Sequence, residues 1–150
     1  MVKTIQNVSD KVLVEKLGKI VEKQMEFIGS RHNSEKTNSA IENALKNSRA
    51  IFFVYADERD EYLGFAFCNI CSGLETGADY LWLNEIFVEP EHRRKRIASE
   101  IIEFIEKWAK EGQIKYIATM TSKNNGKSQG LFNKMKYELE DITWIDKHIE

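Results

Sequence analysis

Val88-Glu-Pro-Glu-His-Arg-Arg-Lys-Arg-Ile-Ala98 is the stretch of sequence that decides the fold, because it joins two strongly patterned segments. The segment Tyr80 to Val88 is rich in aromatic, β-branched and aliphatic residues and predicts a buried strand that stops at Pro90, the only proline. From Ile97 to Gly112, apolar residues recur every three or four positions, which predicts a helix with one buried face. The stretch is therefore a junction between a strand and a helix.

Such a junction is a natural site for an anion. The first N–H groups of a helix have no intrahelical partners and lie at the positive end of the macrodipole. Arg93, Arg94, Lys95 and Arg96 add four cations there. These cations oppose the dipole unless an anion binds, so a phosphate ligand is favoured over a solvated basic helix start or a basic run that binds nucleic acid.

Length and charge narrow the class of protein. A chain of 150 residues with 42% hydrophobic residues is long enough for one core, so we expect a single domain over residues 1–150. A net charge of −2 and a pI near 6.0 argue against a nucleic-acid partner. No apolar run reaches the about 20 residues that a membrane helix needs, and no signal-like segment is apparent. We expect no membrane partner and a cytoplasmic protein.

The remaining patterns predict six strands and four helices in the order β, α, α, β, β, β, α, β, α, β. The first helix is predicted to be capped by Ser9, and the second to begin at the capping box Ser39-x-x-Glu42 after a polar loop at 29–36. The other predicted segments are strands at 2–8, 50–55, 62–71, 114–121 and 142–149, and a helix from Asn125.

Two motifs in this order resemble those of the GNAT family of N-acetyltransferases. The first is Val88-x-Pro90-Glu91-x-Arg93-x-Lys95-x-Ile97-Ala98, which is similar to V-x-P-E-x-R-G-K-G-I-G/A. The second is Asn125-x-x-Ser128-x-x-Leu131-Phe132-x-Lys134-x-Lys136-Tyr137, which is similar to N-x-x-A-x-x-L-Y-x-K-x-G-F. The resemblance implies an α/β (α+β) single-domain fold, with a mixed, mostly antiparallel sheet of six to seven strands and about four helices.

The resemblance also implies acetyl-CoA as co-substrate, no metal, and an amine of a small molecule or a peptide as acceptor. Family members often pair, so a homodimer is possible. In the family, the first motif wraps the pyrophosphate of coenzyme A and the second helps to hold the pantetheine arm. The implied cofactor-binding residues are Phe87, Val88, Arg93, Arg94, Lys95, Arg96, Ile97, Ala98, Asn125, Ser128 and Phe132.

The sequence departs from the family pattern at four positions. Arg94, Arg96 and Lys136 replace glycines, which are favoured where the backbone approaches phosphate closely or has a positive φ. An arginine can still offer its N–H there if its φ is negative, and we expect the two side chains to add contacts to the phosphate. Phe132 replaces a tyrosine that protonates the departing thiolate in many members. We expect less dependence on a general acid, with water, Ser128, Tyr116 or Tyr137 as the proton source.

Glu85 is the predicted catalytic base. A primary amine with a pKa near 10 must lose a proton before or during attack, and Glu85 interrupts an otherwise apolar strand. The alternative is a glutamate at a strand edge that pairs with a lysine. Trp82 and Asn84 are weaker candidates for the acceptor site, since adjacent strand residues face opposite ways. A backbone amide near Phe87 or Val88 is predicted to meet the oxyanion.

One alternative function and one alternative site remain open from the sequence. The altered glycines and Phe132 also suit an acyl-CoA-binding module that is catalytically silent. Cys68-x-x-Cys71 suggests zinc or redox chemistry, but residues three apart in a strand face opposite sides and no second pair of ligands is near. Two reduced thiols and no metal are predicted.

Overall fold

The computed structural model describes residues 1–149. The strands are β1 (Val2–Ile5), β2 (Ala50–Ala56), β3 (Tyr62–Gly73), β4 (Ala78–Val88) and β5 (Ile117–Thr119). The helices are α1 (Lys11–Phe27), α2 (Ser34–Lys46), α3 (Ile97–Glu111) and α4 (Gly126–Lys134). The chain divides into two compact units, Met1–Met120 with the whole sheet, and the part from Thr121 onward with α4.

The sheet has the strand order β1-β2-β3-β4-β5, antiparallel except for the parallel pair β4 and β5. This confirms the mixed, mostly antiparallel sheet and the four helices. The number of strands, five, is lower than predicted. The segment 142–149 forms no strand, and Trp144 and Ile145 are 63% and 86% exposed. Alternation in sequence makes a strand only where a neighbouring strand supplies hydrogen bonds, and none pairs with this segment among the described residues.

The register of the sheet decides which helices cover each face. One face packs on α1 and α2 through a core that includes Phe52, Val54, Phe65 and Phe87. The other face carries Phe53, whose ring contacts aromatic rings of α3. The largest fully buried side chains are Phe53, Phe65, Leu17, Ile20, Leu45, Ile51, Leu81, Leu83, Ile101, Ile102, Ile105 and Val54.

The starts of α1 and α2 differ from the prediction. Asp10, not Ser9, caps α1, because its carboxylate accepts hydrogen bonds from the N–H groups of Val12 and Leu13. Asn33 caps α2, so this helix begins five residues before the predicted cap Ser39. The loop between the two helices is correspondingly shorter than predicted. None of the helices described within residues 1–149 is long and apolar enough to cross a membrane.

Candidate active site

A β-bulge in β4 sets the orientation of the predicted base. Glu85 pairs with Phe67 of β3, whereas Leu83 pairs with the next residue, Cys68, so Asn84 is left without a partner in the ladder. Trp82 pairs with Asn69, which lies two residues after Phe67 and therefore on the same face. Trp82 and Glu85 consequently share a face, contrary to the expectation from regular alternation.

The shared face borders a cavity of about 560 Å³ between the sheet and the first two helices. Phe52, Phe67 and Glu85 line it from the sheet, and Val21 and Ile41 line it from α1 and α2. Burial raises the pKa of the Glu85 carboxyl above its ordinary value. No lysine or arginine within residues 1–149 forms an ion pair with it, so the alternative of a structural pair with lysine is not observed. A half-buried, unpaired carboxylate beside a cavity suits a general base.

The C-terminal half of β4 pairs with β3 on one edge, and β5 does not extend along its other edge. The Glu89 N–H donates to the Leu63 carbonyl, and the alternation of the ladder then turns the backbone of Phe87 toward β3. The same alternation turns the backbone N–H groups of Ile86 and Val88 to the opposite edge, where β5 has already ended at its pairing with Leu83. Of the two amides predicted for the oxyanion, Val88 thus lies on the open edge and Phe87 faces β3, while the oxyanion role itself stays a prediction. Ile86, which the sequence did not single out, shares the open edge with Val88.

Arg93 joins the end of β4 to the end of α1. Its Nε donates to the Val88 carbonyl at 3.0 Å, and its guanidinium carbon lies 4.1 Å from the centre of the Phe27 ring. A short 3₁₀ helix, Pro90–His92, precedes it. These two contacts hold the loop after β4 against the end of α1. Arg93 therefore has a structural role in addition to the predicted contact with phosphate.

Arg94 and Arg96 both adopt a left-handed backbone conformation. Their φ angles are +61° and +65°, so the condition of a negative φ is not met at either residue. The backbone path between β4 and α3 therefore overrides the preference of the side chain, at a cost of about 1–2 kcal/mol for each residue. A positive φ is the conformation that glycine favours, so this backbone is compatible with the glycines of the family motif.

The start of α3 is also free to receive an anion. Arg96 occupies the N-cap position and supplies no side-chain cap, and its guanidinium lies 3.2 Å from a carboxylate oxygen of Glu103. Lys95 is exposed, Ile97 is buried in the core, and Ala98 follows in the first turn. Uncapped N–H groups next to exposed cations fit the phosphates of coenzyme A.

Replacing Arg94 by glycine is expected to stabilise the protein by about 1 kcal/mol, because glycine adopts a positive φ without steric strain. Urea denaturation of the purified variant measures the change. Lys95→Gly is the matched control, because Lys95 does not have a positive φ. Glycine at position 95 adds only freedom to the unfolded chain and is expected to destabilise by about 0.4–1 kcal/mol. Equal losses in both variants would contradict the strain argument.

The second motif forms the ends of α4. Asn125 caps the helix by accepting a hydrogen bond from the Ser128 N–H at 3.1 Å. Phe132 is buried, and its ring packs edge to face on the Tyr137 ring, with 5.2 Å between the ring centres. Lys136 has a φ of +65° and ends the helix at another family glycine. The coenzyme-binding roles of Asn125, Ser128 and Phe132 stay predictions.

Tyr116 lies at the wrong end of β4 to serve as a proton donor beside Glu85. It precedes β5, whose Ile117 pairs with Leu81. Leu81 is four residues before Glu85, roughly 13 Å along a strand. Water, Ser128 and Tyr137 remain as the predicted proton sources for the thiolate.

The predicted reduced thiols are present as free cysteines. Cys68 is buried, and burial raises the pKa of its thiol, while Cys71 is half-buried. A different group, Glu89, Glu91 and His92, brings potential ligand atoms within 4.8 Å of one another. Glu89 already forms an ion pair with Lys23. This pairing explains the buried carboxylate without a metal.

A family model for the GNAT acetyltransferases matches residues 16–137. Because the match spans most of the chain, the protein belongs to the GNAT acetyltransferase family. The family uses acetyl-CoA, so the protein is an acetyltransferase with acetyl-CoA as its co-substrate. The residues of the loop and of the α3 start fit that co-substrate.

Solved structures share the fold over the whole chain. A probable acetyltransferase is 19% identical, with a TM-score of 0.87 and coverage of 100% of this chain and 98% of that one. An aminoglycoside acetyltransferase from an uncultured soil metagenomic sample, solved with sisomicin, is 11% identical, with a TM-score of 0.84 and coverage of 100% and 96%. The aminoglycoside acetyltransferase AAC(6')-Iy, solved with a bisubstrate analogue, is 22% identical, with a TM-score of 0.78 and coverage of 99% of each chain. A search of curated proteins finds no match. At these identities the likeness establishes the fold alone.

Proposed function

We propose that this protein transfers an acetyl group from acetyl-CoA directly to a primary amine, held in the cavity beside Glu85. The observation that carries the proposal is the unpaired Glu85 carboxylate, which the bulge at Asn84 directs to the cavity face of β4. A protein that only binds acyl-CoA has no use for a carboxylate there. Residues 1–150 are proposed to act as one acetyltransferase domain, since the family model spans both compact units.

Glu85 prepares the amine for attack. An ammonium group with a pKa near 10 is almost fully protonated at neutral pH. The Glu85 carboxylate oxygen accepts its proton, directly or through one water, as the nitrogen attacks. The mostly apolar walls of the cavity, including Val21, Ile41 and Phe52, limit competing water and favour the neutral amine.

The open edge of β4 supplies donors for the negative charge that develops on the acetyl oxygen. When bound, acetyl-CoA supplies a thioester whose thiolate is a tolerable leaving group. The backbone N–H groups of Ile86 and Val88 face the edge that β5 leaves uncovered, next to Glu85 in sequence. Preorganised backbone donors of this kind contribute about 3–4 kcal/mol to related acyl transfers.

Thiol release from acetyl-CoA tests the proposal. The purified protein is incubated with acetyl-CoA and a panel of primary amines, and free thiol and acetylated amine are both measured. Thiol release that depends on an amine and equals product formation is the expected result. Coenzyme binding by calorimetry, without amine-dependent thiol release from any acceptor, would instead identify a silent binding module. A homodimer and a cytoplasmic location stay predictions.

A further inference from the structure

We infer, on the basis of the proposed function, that the acceptor amine also carries an anionic group, a carboxylate or a phosphate. The cavity beside Glu85 combines one carboxylate with two cations. Glu85 is the only acidic residue lining the cavity among residues 1–149, whereas Arg31 and Lys36 also line it. A simple amine needs only the carboxylate, so the two cations indicate that the acceptor carries a further group.

Arg31 and Lys36 are available to a ligand. Neither side chain forms an ion pair or a hydrogen bond within the part of the chain that the structure describes. The third basic residue of the cavity, His32, lies 4.0 Å from Glu26, so its charge has a partner when protonated. Glu26 and Glu35 are close in sequence to these cations but do not line the cavity. Two unpaired cations beside one half-buried carboxylate leave a net positive wall.

The connection between α1 and α2 holds these cations against the cavity. Gly29 has a φ of +69°, and the Ser30 N–H donates to the Met25 carbonyl, which closes the end of α1. The Asn33 side chain then caps α2 by accepting the Lys36 N–H at 3.1 Å. Lys36 thus lies in the first turn of a 13-residue helix, where the macrodipole adds to its positive charge.

An amine with an anionic group satisfies both sides of this arrangement. Its nitrogen meets Glu85 on the sheet, and its carboxylate or phosphate meets Arg31 and Lys36 on the helical side. A guanidinium gives two parallel hydrogen bonds to a carboxylate or phosphate. A polyamine or an aminoglycoside brings further ammonium groups to a wall of the same sign, which disfavours binding.

Matched pairs of amines test the inference with the intact protein and saturating acetyl-CoA. Amino acids are compared with their amides, and phosphoethanolamine with ethanolamine; spermidine and an aminoglycoside represent polycations. We expect kcat/KM for an anionic amine to exceed that of its neutral partner by about tenfold or more. The two pairs show whether carboxylate or phosphate is preferred. Faster turnover of neutral amines or polycations would overturn the inference and leave the proposed function intact, whereas no turnover of any amine would overturn both.

Single alanine substitutions identify the responsible side chains. Arg31→Ala and Lys36→Ala are each expected to raise KM for the anionic amine about tenfold, with KM for acetyl-CoA unchanged. Turnover of the neutral partner should be unaffected. Lys46→Ala, in the last turn of the same helix and outside the cavity, is the control and should resemble the parent. Equal effects on the anionic and the neutral amine would overturn the inference. Both side chains are exposed, so the variants are expected to fold.

Discussion

Glu85→Gln is expected to lower kcat/KM at neutral pH by a factor of roughly 100 to 10,000, because the amide cannot accept the proton of the attacking amine. The glutamine keeps the size of the side chain and its place opposite Phe67, so the cavity and the bulge should be preserved. Thiol release at varied amine concentration measures the effect. The Kd for coenzyme A, measured by calorimetry, should not change. Glu75→Gln, in the exposed turn between β3 and β4, is the control and should retain full activity.

The pH dependence separates a base from a residue that only shapes the cavity. Burial raises the pKa of Glu85, so the acid limb of the kcat/KM profile should lie above the ordinary glutamate pKa of 4.5 and should disappear in Glu85→Gln. A raised pKa in the folded state means that protonated Glu85 stabilises the fold below its unfolded pKa. This contribution is lost as pH rises through the folded pKa. Glu85→Gln should therefore be more stable than the parent at neutral pH in urea. Full activity of this variant would remove Glu85 from the base role.

The strand β4, the loop after it and helix α3 could be predicted from sequence because their signals are local. An apolar segment, a proline, a basic turn and helical periodicity follow one another without a gap between residues 80 and 112. The bulge at Asn84 has no such signal, because it depends on the pairing of β4 with β3. Regular alternation therefore predicted Trp82 and Glu85 on opposite faces, whereas the bulge puts them on the same face. The catalytic role of Glu85 stays a prediction.

The conformations of Arg94 and Arg96 show why residue preference fails at a constrained junction. Non-glycine residues avoid positive φ, yet both arginines adopt it. Their loop must leave β4 beside Val88 and enter α3 at Ile97, whose side chain is buried in the core. The core fixes both ends of the loop, so the backbone in between adopts the strained path. Packing energy distributed over many residues outweighs a local preference of one or two kcal/mol.

The placement of two cations in the cavity could not be predicted from sequence for a different reason. Arg31 and Lys36 lie in a stretch with no periodicity that was predicted as a polar loop, about 50 residues before Glu85. Only the packing of α1 and α2 on the face of the sheet that carries Phe52 and Phe67 brings them to the same cavity as Glu85. Long-range placement of charge is a property of the tertiary structure.

Phe53→Ala is expected to lower the free energy of unfolding by about 3–5 kcal/mol, the largest effect on stability that we predict. Phe53 is fully buried in β2 and contacts two aromatic rings of α3 edge to face. Its ring centre lies 6.1 Å from that of Phe104 and 5.5 Å from that of Trp108. Truncation leaves a cavity between the sheet and the helix whose N-terminus supports the basic loop. Urea denaturation measures the loss.

Phe53→Leu separates loss of volume from loss of the aromatic contacts. Leucine fills much of the space but makes no edge-to-face contact, each of which contributes about 0.5–1.5 kcal/mol, so its effect should be intermediate. Coenzyme A binds only the folded state, and at a fixed ratio of its concentration to Kd it should stabilise parent and variants by the same amount. A smaller shift in Phe53→Ala would show that loosening α3 also disturbs the phosphate loop. A loss below about 1 kcal/mol in Phe53→Ala would contradict the packing of α3 on β2 through this residue, because cavity formation in a rigid core cannot be so mild.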